Sequence, residues 1–381
     1  MNPPLPPSSR YRLWPPRPAL LAGLGATGLV LGVTAGAFAY AGGFLSPGRL
    51  TQTRIVDRFE AINGLHPGFR RNHAKGVCVT GTFESNGAGA RLSRAGVFAP
   101  GTVPVVGRFA VGIGKPFLPD NETEVRSLAL SFRPAGGEEW RTGMNDIPVF
   151  PVNTPQGFYA LMAASAADPA TGKPDPARLK AFLDAHPESA RALGLIKARA
   201  VSSGFADARY NGLDAFRFID AAGRSTPVRW SMVPLDPVVA QAPPPAGARD
   251  PNYLFDDLIA RMATGPLRYR LVVTAAAPGD PTDDATVAWP EGREQVDAGT
   301  LTLDHVEAEG PGNCRDINYD PLVLPDGIAP SDDPLPAARS AAYSVSFTRR
   351  AGEEKTPSEV TVPPRPPGAA SSETPRPATG G

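Results

Sequence analysis

The chain of 381 residues carries no net charge and contains few cysteines. Its 38 basic and 38 acidic residues cancel, so its composition gives no reason to propose nucleic acid as a partner. The two cysteines, Cys78 and Cys314, lie far apart; they can pair only if the fold brings them together, and two unpaired buried thiols are an equal alternative. A hydrophobic fraction of 41% allows one large domain or two ordinary ones with a sizeable core.

Charge is also missing from the segment between Pro18 and Pro47, which is dominated by Ala, Leu, Val, Gly and Phe. Residues 19–45 are long enough to cross a bilayer, and arginines 10, 12 and 17 precede them. We therefore expect an uncleaved transmembrane anchor, a cytoplasmic N-terminus and a periplasmic or extracytoplasmic catalytic domain. A cleavable signal peptide ending near residues 37–39 is the alternative; the length and the basic flank argue against a buried core helix.

The remaining chain alternates short strand-like segments with helical ones. Residues 1–18 and 352–381 are rich in proline and are expected to be disordered. The order of segments is sheet, helices, sheet, which indicates an α+β fold around a closed or strongly curved antiparallel sheet. Strands are expected at 76–84, 103–112, 125–134, 147–153, 214–220, 226–234, 267–277 and 299–306, helices at 50–63, 155–166, 176–199 and 251–263, and a Pro/Ala loop at 236–249.

Three short contexts carry possible chemistry. His73, one of four histidines, ends a basic turn just before a strand; a lone histidine of this kind is more often structural than catalytic. Asn145 by itself is typical of a turn. Arg339 and Tyr343 stand four residues apart, so a helix would present them on one face. They form either an ordinary surface cation–aromatic pair or a guanidinium that holds a phenol ionised, as a ligand of haem iron requires.

Five segments taken in order resemble catalases. RRNHAKGVCVTGTFE (70–84) is similar to R-x-x-H-A-K-G…G-x-F-E, Arg108-Phe109 to R-F-S, residues 126–132 to R-G-F-A-x-K-F, residues 145–150 to N-N-T-P-V-F, and residues 318–339 to F-D-P…P-G-I-x-P-S-x-D…R. The spacing from Arg339 to Tyr343 equals the R-x-x-x-Y of the iron ligand. The resemblance covers residues 50–350 and is greatest to small catalase-related peroxidases, without the long N-terminal arm and C-terminal helical domain of full catalases.

The resemblance implies a haem-binding, catalase-like antiparallel β-barrel with surrounding helices at residues 50–350. His73 would be the acid and base above the haem, Asn145 would orient the peroxide, and Tyr343 would ligate the iron. The expected haem-binding residues are Arg339 beside Tyr343, Arg70, Arg108 and Arg350 at the propionates, and Phe158 at the haem edge.

Two departures from the catalase pattern affect this site. Ala110 stands where catalases have a serine that hydrogen-bonds the catalytic histidine, and Asp214 stands where many have a histidine near the haem. The first change predicts a less firmly oriented His73 ring.

The resemblance implies a haem peroxidase that reduces hydrogen peroxide, or organic hydroperoxides, with a small organic reductant, and has weak catalase activity. One rival is a lipid-hydroperoxide-converting enzyme resembling allene oxide synthase. The other is a non-catalytic haem-binding or sensor protein. The oligomeric state stays open.

Overall fold

A computed structural model describes residues 17–42, 44–45, 48–168, 170–235 and 251–363 of the chain. Contacts between residues divide the chain into two units, residues 1–51 and residues 52–381. The expected Pro/Ala loop at 236–249, most of the Pro-rich N-terminus and the final residues 364–381 lie outside the described part.

The first unit contains helix α1, Arg17–Ala41. Its segment Pro18–Ala41 has a mean hydropathy of 1.7 and none of it is buried within the protein. Within the described residues it is the one helix long and apolar enough to cross a membrane. A buried core helix, which the sequence already argued against, is therefore excluded, whereas a signal sequence shares these properties.

The second unit is built around an antiparallel sheet that closes on itself. In the described residues its strands are β1 Gly76–Ser85, β2 Gly101–Val111, β3 Arg126–Phe132, β4 Trp140–Asn145, β5 Tyr210–Asn211, β6 Phe216–Ile219, β7 Ser225–Pro234, β8 Leu267–Ala275, β9 Gln295–Glu307 and β10 Ile328–Pro330. The order β7-β5-β4-β3-β2-β1-β9-β8 returns to β7 through its pairing with β8, and β6 and β10 extend the sheet beside β7. The predicted closed antiparallel sheet is confirmed.

Strand alternation separates the barrel interior from its outer face. On β3, Leu128, Leu130 and Phe132 point into the main hydrophobic cluster, so the residues between them point outward. Trp140 packs against Phe132 with ring centroids 4.9 Å apart and against Trp230 at 5.1 Å. Large aromatic rings therefore fill the barrel, and the space available for a ligand lies outside it.

Helices surround the sheet. They are α2 Gln52–Asn63, α3 Pro155–Ala164, α4 Pro176–Ala185, α5 Pro187–Ala198, α6 Tyr253–Thr264 and α7 Pro334–Ala351. Helix α7 begins at the Asp333 cap, whose carboxylate accepts from the Leu335 amide at 2.9 Å, and Pro334 occupies the first position, where its missing N–H costs nothing.

Three sequence predictions need correction. Residues 147–153 form no strand; the missed strand is β4, which ends at Asn145. The helix expected at 176–199 is two helices, because Pro187 cannot continue α4 and instead begins α5. The disordered tail expected from residue 352 is wrong for residues 352–363, since Val360 is buried in the main core and Glu353 pairs with Arg71.

The two cysteines form a disulfide, Cys78–Cys314, with Cα atoms 5.4 Å apart. Cys78 belongs to β1, and Cys314 begins a short 3₁₀ turn 236 residues later. The bridge fastens the loop after β9 to the barrel wall, and this loop contributes to the cavity described next.

Candidate active site

A cavity of about 310 Å³ lies between the outer face of β2, β3 and β4 and the helices α2, α3 and α7. This volume is in the range of small-molecule sites. All eight residues singled out in the sequence line this one cavity. They are Arg70, His73, Arg108, Asn145, Phe158, Arg339, Tyr343 and Arg350.

The register of the sheet builds one wall of the cavity, called here the sheet wall (His73, Ala110, Ser127, Ala129, Gly143 and Asn145). Ala110 pairs with Ser127, and Ser127 pairs with Asn145, so these three residues form a row across three strands. Ala129 and Gly143 belong to the neighbouring row. Small side chains along these rows leave a flat surface on which a planar ligand can lie.

His73 enters this wall from the turn before β1. It has φ 52°, and among the described residues it alone adopts a positive φ without being glycine. Such backbone is uncommon for residues with a Cβ and tends to occur at functional sites. Neighbouring contacts maintain it: the Ala74 amide donates to the Ile113 carbonyl at 2.8 Å, and Arg108 donates to the Ala74 carbonyl at 3.2 Å.

His73 is joined to Asn145 through a serine. The Ser127 hydroxyl donates to Oδ1 of Asn145 and lies 2.9 Å from Nδ1 of His73. The sequence predicted a loosely oriented ring because Ala110 lacks a hydroxyl. That prediction is wrong, because the adjacent strand supplies the hydroxyl from the position paired with Ala110.

The electrostatic setting keeps His73 neutral. Burial, and then the positive charges of Arg108 and Arg339, lower the pKa of His73 to about 3, although the Val111 backbone carbonyl opposes this. A neutral imidazole has one ring nitrogen with a lone pair, and it can therefore accept a proton from a ligand at neutral pH.

The opposite side, called here the helix wall, is formed by α7 with Arg339 and Tyr343. One helical turn separates them, and the guanidinium carbon of Arg339 lies 5.9 Å from the centre of the Tyr343 ring. Arg339 also forms an ion pair with Asp214, a carboxylate that is only 3% exposed. Burial by itself would lower the pKa of Arg339, but Asp214 and then Tyr343 outweigh it and raise that pKa.

Three arginines meet at one end of the cavity, in an arginine cluster of Arg70, Arg108 and Arg350. Arg108 donates two hydrogen bonds to the Glu309 carboxylate, from Nε at 2.8 Å and from Nη2 at 2.9 Å. Arg70 approaches the same carboxylate at 3.4 Å. Arg70 and Arg108 thus share one carboxylate, which the charge of Arg350 also feels, and two of the three positive charges in the cluster stay uncompensated by it.

The pKa shifts reflect this excess. Burial, and then the charges of Arg108 and Arg350, lower the pKa of Arg70 to about 9. Burial also lowers the pKa of Arg350 to about 10, although Glu309 opposes this. Burial would raise the pKa of Glu309, but Arg108 and then Arg70 lower it. A buried cluster of this kind favours anionic ligands.

Aromatic residues complete the cavity. Phe158 on α3 packs between Phe59 at 5.8 Å and Phe150 at 5.7 Å. Tyr319 lines the cavity next to Arg70, and its buried hydroxyl has no hydrogen-bond partner among the described residues. Buried hydroxyl groups are normally paired, so this one has a free donor for a ligand.

Four contributors were not identified from the sequence: the Ser127 bridge, the Glu309 carboxylate, the Tyr319 hydroxyl and the pairing of Asp214 with Arg339. Ser127 could have been found only from the strand register, because no spacing along the chain relates it to His73. Asp214 was noted as a departure, but its partner lies 125 residues away.

Comparisons with known proteins give a consistent result. Residues 47–372 match the family model described as Catalase. A catalase-related peroxidase of Synechococcus elongatus is 36% identical over 81% of this chain and 91% of its own length. A catalase-related peroxidase of Mycolicibacterium paratuberculosis is 33% identical over 81% of this chain and 97% of its own length. A solved bacterial catalase superposes with a TM-score of 0.67 at 21% identity, covering 80% of this chain and 62% of that chain.

Proposed function

The chain belongs to the catalase family, and from this premise we propose that it is a haem-dependent peroxidase. It reduces hydrogen peroxide, oxidises a small organic donor and has weak catalase activity. The observation that carries the proposal is the meeting, in a single cavity, of eight residues drawn from segments as distant as Arg70 and Arg350. The relatives at 36% and 33% identity are both named catalase-related peroxidases, which favours peroxidase over catalase activity.

The residues of the cavity fit haem. Haem carries two propionates, and the arginine cluster with Glu309 has two uncompensated positive charges. The unpartnered hydroxyl of Tyr319 lies beside Arg70 and can donate to a carboxylate. A Cβ placed on Gly143 would meet only Arg339, at 3.6 Å, so the flat surface there is open toward the cavity.

Each wall would hold a different part of the group. Tyr343 would ligate the iron, and Arg339 would place its guanidinium beside the Tyr343 ring. Arg70, Arg108 and Arg350 would bind the propionates, while Phe158 would pack on the edge. Bound haem supplies the redox chemistry, and the protein positions the reactants and manages the protons.

His73 would manage the protons of peroxide. Cleavage of the O–O bond requires one oxygen to leave as water, and that oxygen needs a proton carried by the other. A neutral imidazole can take this proton from one oxygen and return it to its neighbour. Asn145 would orient the peroxide by a hydrogen bond that changes no charge.

The decisive experiment is the absorption spectrum of the full chain with haem, compared with Tyr343→Phe. We expect high-spin ferric phenolate bands that disappear in the variant. Tyr159→Phe is the matched control, because Tyr159 lies on α3 and is not among the residues lining the cavity. A preparation that stays colourless when supplied with hemin would refute the proposal.

A second measurement separates the two activities. Oxygen release from hydrogen peroxide is compared with oxidation of a bulky phenolic dye by the same preparation. Dye oxidation should dominate. Predominant oxygen release would contradict the peroxidase assignment but would leave haem binding intact.

We also propose that α1 anchors the enzyme, with residues 50–350 on the periplasmic or extracytoplasmic side. The basic residues before α1 favour this orientation, and the disulfide Cys78–Cys314 favours an oxidising compartment. Mature protein that retains residues 1–41 and resists extraction from membranes by alkaline carbonate would support the anchor. Release after cleavage near residues 37–39 would identify a signal peptide instead.

A further inference from the structure

We propose that Ser127 is a positioning residue that couples His73 to Asn145 and favours the His73 tautomer protonated at Nδ1. The inference rests on the proposed function and extends it to a residue to which the resemblance assigns no role. Ser127 occupies the middle of the row Ala110–Ser127–Asn145. Its hydroxyl lies within hydrogen-bond distance of both His73 and Asn145.

The argument depends on the single proton of the hydroxyl group. Ser127 can donate one hydrogen bond, and it donates that bond to Oδ1 of Asn145. Its oxygen can then only accept from Nδ1 of His73, which lies 2.9 Å away. Nδ1 therefore carries the proton, and Nε2 keeps the lone pair.

This arrangement prepares both partners for peroxide. Nε2 of His73 becomes the basic atom available to a ligand in the cavity. Because Oδ1 of Asn145 is occupied by Ser127, the amide directs its Nδ2 donor away from the serine. One hydroxyl thus leaves His73 with a ring nitrogen that can accept a proton and leaves Asn145 with a hydrogen-bond donor for the ligand.

The same geometry explains how the chain functions without a hydroxyl at position 110. Ala110 and Ser127 are directly paired on adjacent antiparallel strands, and both face the cavity. Moving a hydroxyl from one to the other shifts it across the sheet by about one strand spacing, which is roughly 4.8 Å. The position on β3 adds contact with Asn145, because Ser127 also pairs with that residue.

The proton position can be measured directly. The full chain is labelled with ¹⁵N-histidine and loaded with zinc protoporphyrin IX, which is diamagnetic. With four histidines in the chain, His73 is assigned by comparison with His73→Gln. We expect a neutral ring protonated at Nδ1 in the native chain, and a mixture of tautomers in Ser127→Ala. A ring protonated at Nε2 in the native chain would mean that the Asn145 amide is reversed, and would overturn the inference.

Kinetics on the haem-loaded chain provide the second test. Ser127→Ala should lower the second-order rate constant for hydrogen peroxide by about 10- to 100-fold, as loss of an orienting hydrogen bond commonly does. Ser127→Thr, which keeps the hydroxyl, should retain most of the rate. The double variant Ala110→Ser/Ser127→Ala should recover part of it.

Ser131→Ala is the matched control. It lies four residues further along the same strand and also loses two hydrogen bonds, one donated to Glu139 at 2.5 Å and one accepted from Arg133 at 3.3 Å, but it is not among the residues lining the cavity. Equal losses in the two single variants would indicate a general effect on the strand and refute the inference. Failure of the native chain to bind haem or to react with peroxide would instead refute the proposed function.

Discussion

The two walls of the cavity hold their side chains by different physical means. On the sheet wall, His73, Ser127 and Asn145 are joined by hydrogen bonds between neutral groups, fixed by strand register. On the helix wall, Arg339 forms an ion pair with Asp214 and lies beside the Tyr343 ring. Both walls consist of buried and half-buried residues, so the difference is one of chemistry and not of exposure.

The difference corresponds to the proposed tasks. A group that accepts and returns a proton works best when neutral near the working pH, and burial among arginines maintains His73 in that form. A phenol that serves as an iron ligand needs the opposite environment, in which a positive charge stabilises its anion. Separating the two on sheet and helix lets each environment be set independently.

The largest expected effect comes from removing the base on the sheet wall. His73→Ala should retain the absorption bands of haem, because Tyr343 and the arginine cluster are unchanged, yet lose about 10²- to 10⁴-fold of the rate with hydrogen peroxide. Stopped-flow mixing with peroxide measures this rate. His186→Ala, which removes an imidazole outside the residues that line the cavity, should keep it. Full activity in His73→Ala would show that the sheet wall does not supply the base through His73.

An intermediate effect is expected from uncoupling the charges on the helix wall. Asp214→Asn leaves the Arg339 guanidinium without its carboxylate, and should reduce the free energy of unfolding by about 2–3 kcal/mol, since breaking a buried ion pair is costly. Urea unfolding measures this value.

The matched control for that variant is Asp257→Asn on α6. Asp257 pairs with Arg261 one turn away, and both side chains are exposed. Loss of such an exposed pair should cost about 0.3–0.5 kcal/mol. Equal costs in the two variants would mean that the helix wall gains no stability from its buried charges.

The third effect concerns the pH dependence of stability. The pKa of His73 is about 3 in the folded chain, and about 6.5 when unfolded. The unfolded chain therefore binds more protons, and the stability associated with a neutral His73 is present above pH 6.5 and declines as the pH falls toward 3. The free energy of unfolding should fall less between pH 7 and 4.5 in His73→Ala than in the native chain. Identical pH dependence in the native chain and in His73→Ala would show that folding does not lower the pKa of His73.

Much of the site could be predicted from the sequence because motifs preserve local order. His73 precedes β1 within a recognisable segment, and Arg339 and Tyr343 are related by one helical turn. Strand β4 was missed because Asn145 and the residues after it have the composition of a turn. The helical periodicity of residues 176–199 predicted a single helix. The break between α4 and α5 depends on Pro187, a local signal that the periodicity does not include.

The resemblance of five segments to catalases indicated the family and the residues brought to the cavity, and the order and alternation of the segments indicated the antiparallel sheet, because both are written along the chain. Only the tertiary structure decided the disulfide between Cys78 and Cys314, the pairing of Asp214 with Arg339 and the hydroxyl of Ser127 beside His73. These contacts join residues 54 to 236 positions apart. Their partners are selected by strand register and by the closure of the barrel, which no local pattern specifies.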